Sequence, residues 1–194
     1  MSSENRPQRA LLVIDAQASF AARPVWHEVD HAVYLAAQNR LIRGFLDAGQ
    51  PVVRCFHVEE EGLFSRASGL IRPLDGLVDY APALAFDKHA HSALAGTPLQ
   101  GWLTRHGINA LTISGIRSEQ CCETTTRDAS DRGFQVDYVT EATLTFPFAH
   151  RGGRVYSVEE IRERCELVLE ERFARIVDVD EALAALPGAL ASAA

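Results

Sequence analysis

The feature that most constrains this chain is ALLVID (10–15), an unbroken apolar run that ends on a carboxylate. A strand with one wet face alternates apolar and polar residues, so an unbroken run marks a strand covered on both faces. Sheets are covered in that way when helices cross over between parallel strands. The rest of the chain supplies the parts. PVVRCFHV (51–58), ALAFDKH (83–89), NALTISG (109–115), FQVDYVTEA (134–142) and ARIVDV (174–179) read as further strands. Helical patterns alternate with them. Residues 31–48 carry Val33, Tyr34, Ala37, Leu41 and Phe45 on one stripe, with Asp30 as N-cap and Gly49 as the stop. Residues 97–107 follow, with Pro98 in the first turn, then residues 118–132. Residues 158–173 form a charged helix with Ile161, Leu167, Val168 and Phe173 inward, and a short helix closes the chain. The expected fold is α/β, a three-layer αβα arrangement around a mostly parallel six-stranded Rossmann-like sheet. It forms a single domain over residues 1–194, with 1–8 and 188–194 as frayed tails.

Composition removes several function classes. A formal net charge of −7 is no footprint for nucleic acid. No apolar run approaches the roughly 20 residues that span a membrane. The polar start MSSENRPQR has no signal-peptide core, so the expected location is cytoplasmic, with reduced thiols. Cys55, Cys121, Cys122 and Cys165 show no CxxC spacing, hence neither a zinc knuckle nor a disulfide framework.

In parallel α/β sheets, ligands bind beyond the carboxyl ends of the strands, near the point where strand order switches. The residues to inspect are therefore Asp15 with Gln17, His57, Lys88 and the turn from Gly115 to Cys122. Each has an ordinary alternative. Asp15 could cap a helix, Lys88 could be a solvated surface lysine, and paired free thiols could be small core residues. Helix geometry separates the thiols, since successive residues point about 100° apart. From Cys122 the next residues on its face are Thr125, Thr126 and Ala129, and from Cys121 they are Thr124, Thr125 and Asp128. The first set is the less polar, so Cys122 reads as packed and Cys121 as facing the mouth. HEVDH (27–31) matches a zinc-protease pattern. With Asp30 as a cap, His27 lies outside the following helix and cannot align with His31. HAH (89–91) reads as a loop with one ring near the site. Arg54 reads as a salt-bridge partner rather than a reader of a substrate anion.

Taken in order, ALLVIDAQASF, DKHAHSALAGTPL and GINALTISGIRSEQCCETTTRDASDRGFQVDYVTEA resemble the isochorismatase-like cysteine hydrolases. The resemblance covers roughly residues 10–142. Its most specific part is the register of Gly115, Ser118, Cys121, Cys122, Thr125, Arg127, Asp128 and Ala129. It implies a catalytic triad of Asp15, Lys88 and Cys121. It also implies a non-proline cis peptide between Ile116 and Arg117, where backbone N–H groups of Ile116, Arg117 and Cys121 would face an oxyanion. Gln17, Phe20, Trp26, His57 and Phe148 lie on segments that would contact a small substrate. No cofactor and no metal are expected, because His57-Val58-Glu59 stands where relatives such as nicotinamidases carry a D-x-H metal motif. The resemblance further implies a homo-oligomer, a dimer or larger. The activity it implies is cleavage of a small amide, carbamoyl or ureido C–N bond through a thioester. The alternatives are a vinyl ether hydrolase of the isochorismatase type and a catalytically silent binding member.

Overall fold

A computed structural model describes residues 8–187. The first apolar run forms β1 (Arg9–Ile14), every residue of it buried. Its side chains divide as a doubly covered strand requires. Ala10, Leu12 and Ile14 enter one apolar cluster, Leu11 and Val13 the opposite one. β2 (Val52–His57), β3 (Leu84–Lys88), β4 (Ala110–Ile116), β5 (Gln135–Leu144) and β8 (Arg175–Val177) complete a six-stranded sheet of order β3-β2-β1-β4-β5-β8. All five pairings are parallel. An antiparallel ribbon of β6 (Phe148–Ala149) and β7 (Val155–Tyr156), two residues each, stands apart. The sequence pattern did not anticipate it, since strands that short carry no periodicity.

Helices cover both faces. α2 (His31–Asp47) and α6 (Val179–Ala184) lie on one side. α3 (Leu99–Arg105), α4 (Glu123–Asp131) and α5 (Val158–Leu169) lie on the other. A one-turn helix, α1 (Ala18–Ala21), follows β1. Asp30 caps α2 as its residue type predicts, accepting from the N–H groups of Ala32 and Val33. The buried stripe of α2 is Tyr34, Gln38, Leu41, Ile42 and Phe45. Val33 is 58% exposed, which corrects the expected stripe. Gln38 takes a buried place because its amide donates to Ser114 Oγ at 3.0 Å and Tyr34 Oη lies 3.4 Å from its Oε1. On α5 the inward residues are Ile161, Cys165 and Leu169, whereas Leu167 is 78% exposed, a second correction. Of the expected frayed ends, residues 1–7 and 188–194 lie outside the described residues. Gln8 is not loose, since its carbonyl accepts from the N–H groups of Asn109 and Ala110.

The sheet order places the switch point. The chain builds from β1 through β2 to β3 on one side, then crosses to β4 on the other side of β1. The gap beyond the carboxyl ends of β1 and β4 is where such sheets bind ligands.

Candidate active site

Four adjacent strand ends each deliver one polar group to this gap: Lys88 from β3, His57 from β2, Asp15 after β1, and Cys121 from the turn after β4. Asp15 leaves the strand with φ 51°, a left-handed conformation that costs a non-glycine residue about 1 kcal/mol or more. Its N–H is held by the Cys55 carbonyl at 3.0 Å. On the neighbouring strand, Gly115 has φ 127°, and a Cβ there would lie 1.9 Å from the Ile14 carbonyl oxygen. Only glycine lets β4 approach β1 this closely. The Ile116–Arg117 peptide is cis, as the resemblance implied. Residues Ser118–Cys122 then form a single π-helical turn that runs into α4, in place of the continuous α-helix read from the sequence. The turn is pinned to β5 by Ser118, whose Oγ meets Thr143 Oγ1 at 2.7 Å and whose carbonyl accepts from Tyr138 Oη at 3.0 Å.

Both thiols lie in the same buried apolar cluster, and their polar contacts distinguish them. Cys122 is fully buried, with Thr125, Thr126 and Ala129 buried along its face, while Thr124 is exposed. Cys121 is 6% exposed and accepts from Lys88 Nζ at 3.2 Å. The same ammonium pairs with Asp15 Oδ2 at 2.8 Å, with both side chains at 0% exposure. It also donates to the Ala90 carbonyl at 3.1 Å and stands 3.3 Å from His57 Nδ1. The Asp15 carboxylate also meets the Cys121 side chain in a hydrogen bond. Two residues of the motif register also hold Lys88's loop against α4: Thr125 Oγ1 accepts from Ala93 N at 3.0 Å, and Ser92 donates to Asp128 at 2.5 Å.

The electrostatics follow from burial. It raises the Asp15 carboxyl above its ordinary 3.8, and Lys88 offsets only part of that. Burial, then the Asp15 charge, pushes the Cys121 thiol up to about 12 against the pull of Lys88. Burial works against the Lys88 ammonium, yet Asp15 and the neighbouring thiols outweigh it and raise its pKa. Burial and the Lys88 charge hold His57 below its ordinary value, so its ring is neutral near pH 7. At rest, therefore, the site holds an ion pair, a neutral imidazole and a protonated thiol. Asp15, His57 and Cys121 each bring a metal-binding type of atom to within 4.8 Å of one another. The Lys88 ammonium stands among all three, a built-in cation where a metal would otherwise find its donors.

The remaining predicted residues divide. Phe20 and Trp26 are buried in an aromatic wall with Phe146 and Phe64: Phe20 meets Phe64 at 5.0 Å and Phe146 at 6.1 Å, and Trp26 meets Phe146 at 6.4 Å. Phe148 is 38% exposed on the ribbon and carries the Arg117 guanidinium at 4.3 Å from its ring. Gln17 does not line open space, which corrects its expected role. It is fully buried, its Oε1 accepts from His57 N at 2.8 Å, and its Nε2 donates to the His57 carbonyl at 3.1 Å. It holds His57 in place instead. Arg54 forms no salt bridge among the described residues and lies 5.5 Å from the rings of Phe56 and Tyr80. HEVDH spans two elements: His27 sits in a 3-10 turn (Pro24–Glu28), and His31 opens α2 stacked on Trp26 at 4.7 Å. The expected loop at HAH puts the His91 ring 6.0 Å from His57. Sequence reasoning missed Phe64, Phe146 and the side chain of Arg117. The cluster FPF (146–148) after β5 was the available signal.

Fold and site together define a class: a parallel α/β hydrolase scaffold with a buried thiol, carboxylate and ammonium at its switch point. A family model, the isochorismatase domain, matches residues 9–172, and the chain belongs to the isochorismatase family of hydrolases. This family acts on small molecules. The chain is 33% identical over 121 residues to Nicotinamidase 3 of Arabidopsis thaliana, a match covering 62% of this chain and 55% of that protein. It is 32% identical over 143 residues to a streptothricin hydrolase of Streptomyces noursei, covering 73% of this chain and 56% of that protein. The chain thus spans little more than half the length of each. A crystal structure assigned to isochorismatase, from Burkholderia xenovorans LB400, superposes with a TM-score of 0.84 at 31% identity, covering 95% of this chain and 89% of that one. No helix among the described residues is long and apolar enough to cross a membrane.

Proposed function

We propose that the protein is a cysteine amidase that cleaves a small amide, carbamoyl or ureido C–N bond, with Cys121 as nucleophile, Asp15 as acid and base, and Lys88 as fixed cation. The observation that carries this reading is the Lys88 ammonium bridging Asp15 Oδ2 at 2.8 Å and Cys121 Sγ at 3.2 Å beyond the switch point. A thiol held near 12 needs a base at the moment of attack, and the Asp15 carboxylate is the adjacent acceptor. Asp15 takes the thiol proton while sulfur bonds to the substrate carbonyl carbon. Lys88 then balances the charge on the pair. The N–H groups of Gln120 and Cys122 are engaged with the Arg117 carbonyl, at 3.2 Å each. In this reading the oxyanion donors are the N–H groups of Arg117 and Cys121, each typically worth about 3–4 kcal/mol in such sites. Protonated Asp15 gives its proton to the leaving nitrogen as the C–N bond breaks, which leaves a thioester. Asp15 next deprotonates a water that attacks the thioester carbonyl, and the proton returns to sulfur as the acid leaves. The similarity to a nicotinamidase supports amide chemistry.

The test is a panel of small amide, carbamoyl and ureido compounds assayed for ammonia or amine release. Cys121→Ala loses turnover by about 10³-fold or more, while Cys122→Ala retains most of it. Equal loss in both variants removes the assignment.

A further inference from the structure

Lys88 has more acceptors around it than it has protons. An ammonium carries three N–H donors and no lone pair. Four acceptors among the described residues surround this one: Asp15 Oδ2 at 2.8 Å, the Ala90 carbonyl at 3.1 Å, Cys121 Sγ at 3.2 Å and His57 Nδ1 at 3.3 Å. The reaction described above uses the carboxylate and the sulfur. It gives the His57 ring no part.

That ring is firmly held. His57 ends β2 and stands in register with Lys88, which ends β3. The buried Gln17 amide clamps the His57 backbone at both polar atoms, accepting from its N–H at 2.8 Å and donating to its carbonyl at 3.1 Å. Gln17 is anchored in turn, because Nε2 also donates to Ser19 Oγ at 3.0 Å and that hydroxyl donates to the Leu70 carbonyl at 3.2 Å. One short segment after β1 therefore supplies both the Asp15 carboxylate and the clamp on His57. What faces each ring nitrogen fixes the tautomer. Opposite an ammonium, Nδ1 can only accept, since a proton there would meet a proton of Lys88. The ring proton then sits on Nε2, which faces Glu59 Oε1 at 3.5 Å.

The fourth acceptor matters once the sulfur is acylated. A thiolate accepts a hydrogen bond strongly, a sulfur bonded to two carbons only weakly. In the thioester, three good acceptors remain for the three N–H groups: Asp15, the Ala90 carbonyl and His57 Nδ1. The Lys88 side chain has 0% exposure, so water does not replace a missing partner. Without His57, one N–H of a buried cation is left unpaired, which is costly. The ammonium must then swing toward another acceptor and lose its place beside the sulfur.

We propose that His57 is a positioning residue: with its proton on Nε2, it accepts an N–H of Lys88 at Nδ1 and keeps the ammonium between Asp15 and Cys121 while the sulfur carries the acyl group. This rests on the amidase reading. In it, His57 acts through Lys88 and not on the substrate.

The experiment compares His57→Asn, His57→Gln and His57→Leu with wild type on the amide, carbamoyl and ureido panel, nicotinamide first. Asn carries an amide oxygen at the δ position where Nδ1 stands. The Gln amide lies one bond farther out, near the place of Nε2, and Leu has no acceptor. His57→Asn is expected to retain kcat within severalfold. His57→Gln and His57→Leu are expected to lower kcat about 10- to 100-fold with KM nearly unchanged, the worth of a hydrogen bond to a charged group. Long-range proton–nitrogen correlation spectra of histidine-labelled wild type, without substrate, read the tautomer directly. The expected result at pH 7 is a His57 proton on Nε2 and none on Nδ1, and this keeps the test decisive should a variant fold poorly. A proton on Nδ1 overturns the proposal whatever the kinetics. Undiminished kcat in His57→Leu also overturns it. Activity kept by His57→Gln but lost by His57→Asn overturns it as well, because the work then belongs to Nε2. The Nε2 tautomer without turnover of any panel compound supports the contact with Lys88 and counts against the amidase reading.

Discussion

Single atoms decide the chemistry here. Gly115 is the clearest case, because any side chain would lie 1.9 Å from the Ile14 carbonyl in a backbone region that L-residues avoid. Gly115→Ala is expected to cost about 2–5 kcal/mol in urea unfolding and to separate β1 from β4. Cys121 and Cys122 show how far residue-level reading reaches. Their different polar contacts were legible because Thr125, Thr126 and Ala129 follow one thiol at helical spacing and Asp128 the other. The buried Asp15–Lys88 pair was not legible, since its members lie far apart in sequence and no local pattern records burial. The pair also sets the pH response. Asp15 must be ionised to accept a proton, and its carboxyl is raised above 3.8, so the acid limb of kcat/KM is expected to have its midpoint above that value. The stability linkage has the same origin. A folded pKa above the unfolded one gives stability that is present at low pH and lost as pH rises through the folded value. Cys121 therefore contributes a loss of stability between about pH 9 and about 12, which Cys121→Ser, lacking a titrating thiol, should abolish.

Elements position these residues, and their limits were read unevenly. β1 and α2 were legible within a residue or two because an unbroken apolar run and a capped amphipathic stripe are strong local signals. The π-helical turn Ser118–Cys122 was not, because it depends on the contacts of Ser118 with β5. Leu167 misled because an apolar residue on a charged helix need not face inward. The Asp30 carboxylate accepts from the N–H groups of Ala32 and Val33 and touches none of Asp15, Lys88 and Cys121, so Asp30→Ala is expected to cost about 1 kcal/mol of stability and leave most of the turnover. β3 matters differently, because it sends Lys88 past the end of β2 to reach Asp15. Lys88→Ala strands a buried carboxylate and is expected to cost about 3–5 kcal/mol near neutral pH. That deficit should shrink as the pH is lowered and Asp15 becomes protonated, a pattern that chemical denaturation at several pH values would reveal. A deficit constant with pH would mean that Lys88 stabilises the fold through packing alone.

At the scale of the whole molecule, function depends on strand order. The alternation of strands and helices specified a parallel sheet, but nothing local states that β4 lies beside β1 rather than beside β3. That one crossover brings the β1 carboxylate against the β4 turn, with the β3 ammonium reaching in across the end of β2. The family register pointed to the same residues, while the aromatic wall emerged only from the folded arrangement. The central claim is that Cys121 carries the acyl group, and the most direct measurement is mass spectrometry of the protein quenched during turnover of an active amide. The account predicts a mass increase equal to the acyl group, located on the Cys121 peptide and labile to hydroxylamine. An adduct on Cys55, Cys122 or Cys165, or steady turnover by Cys121→Ala, would contradict it.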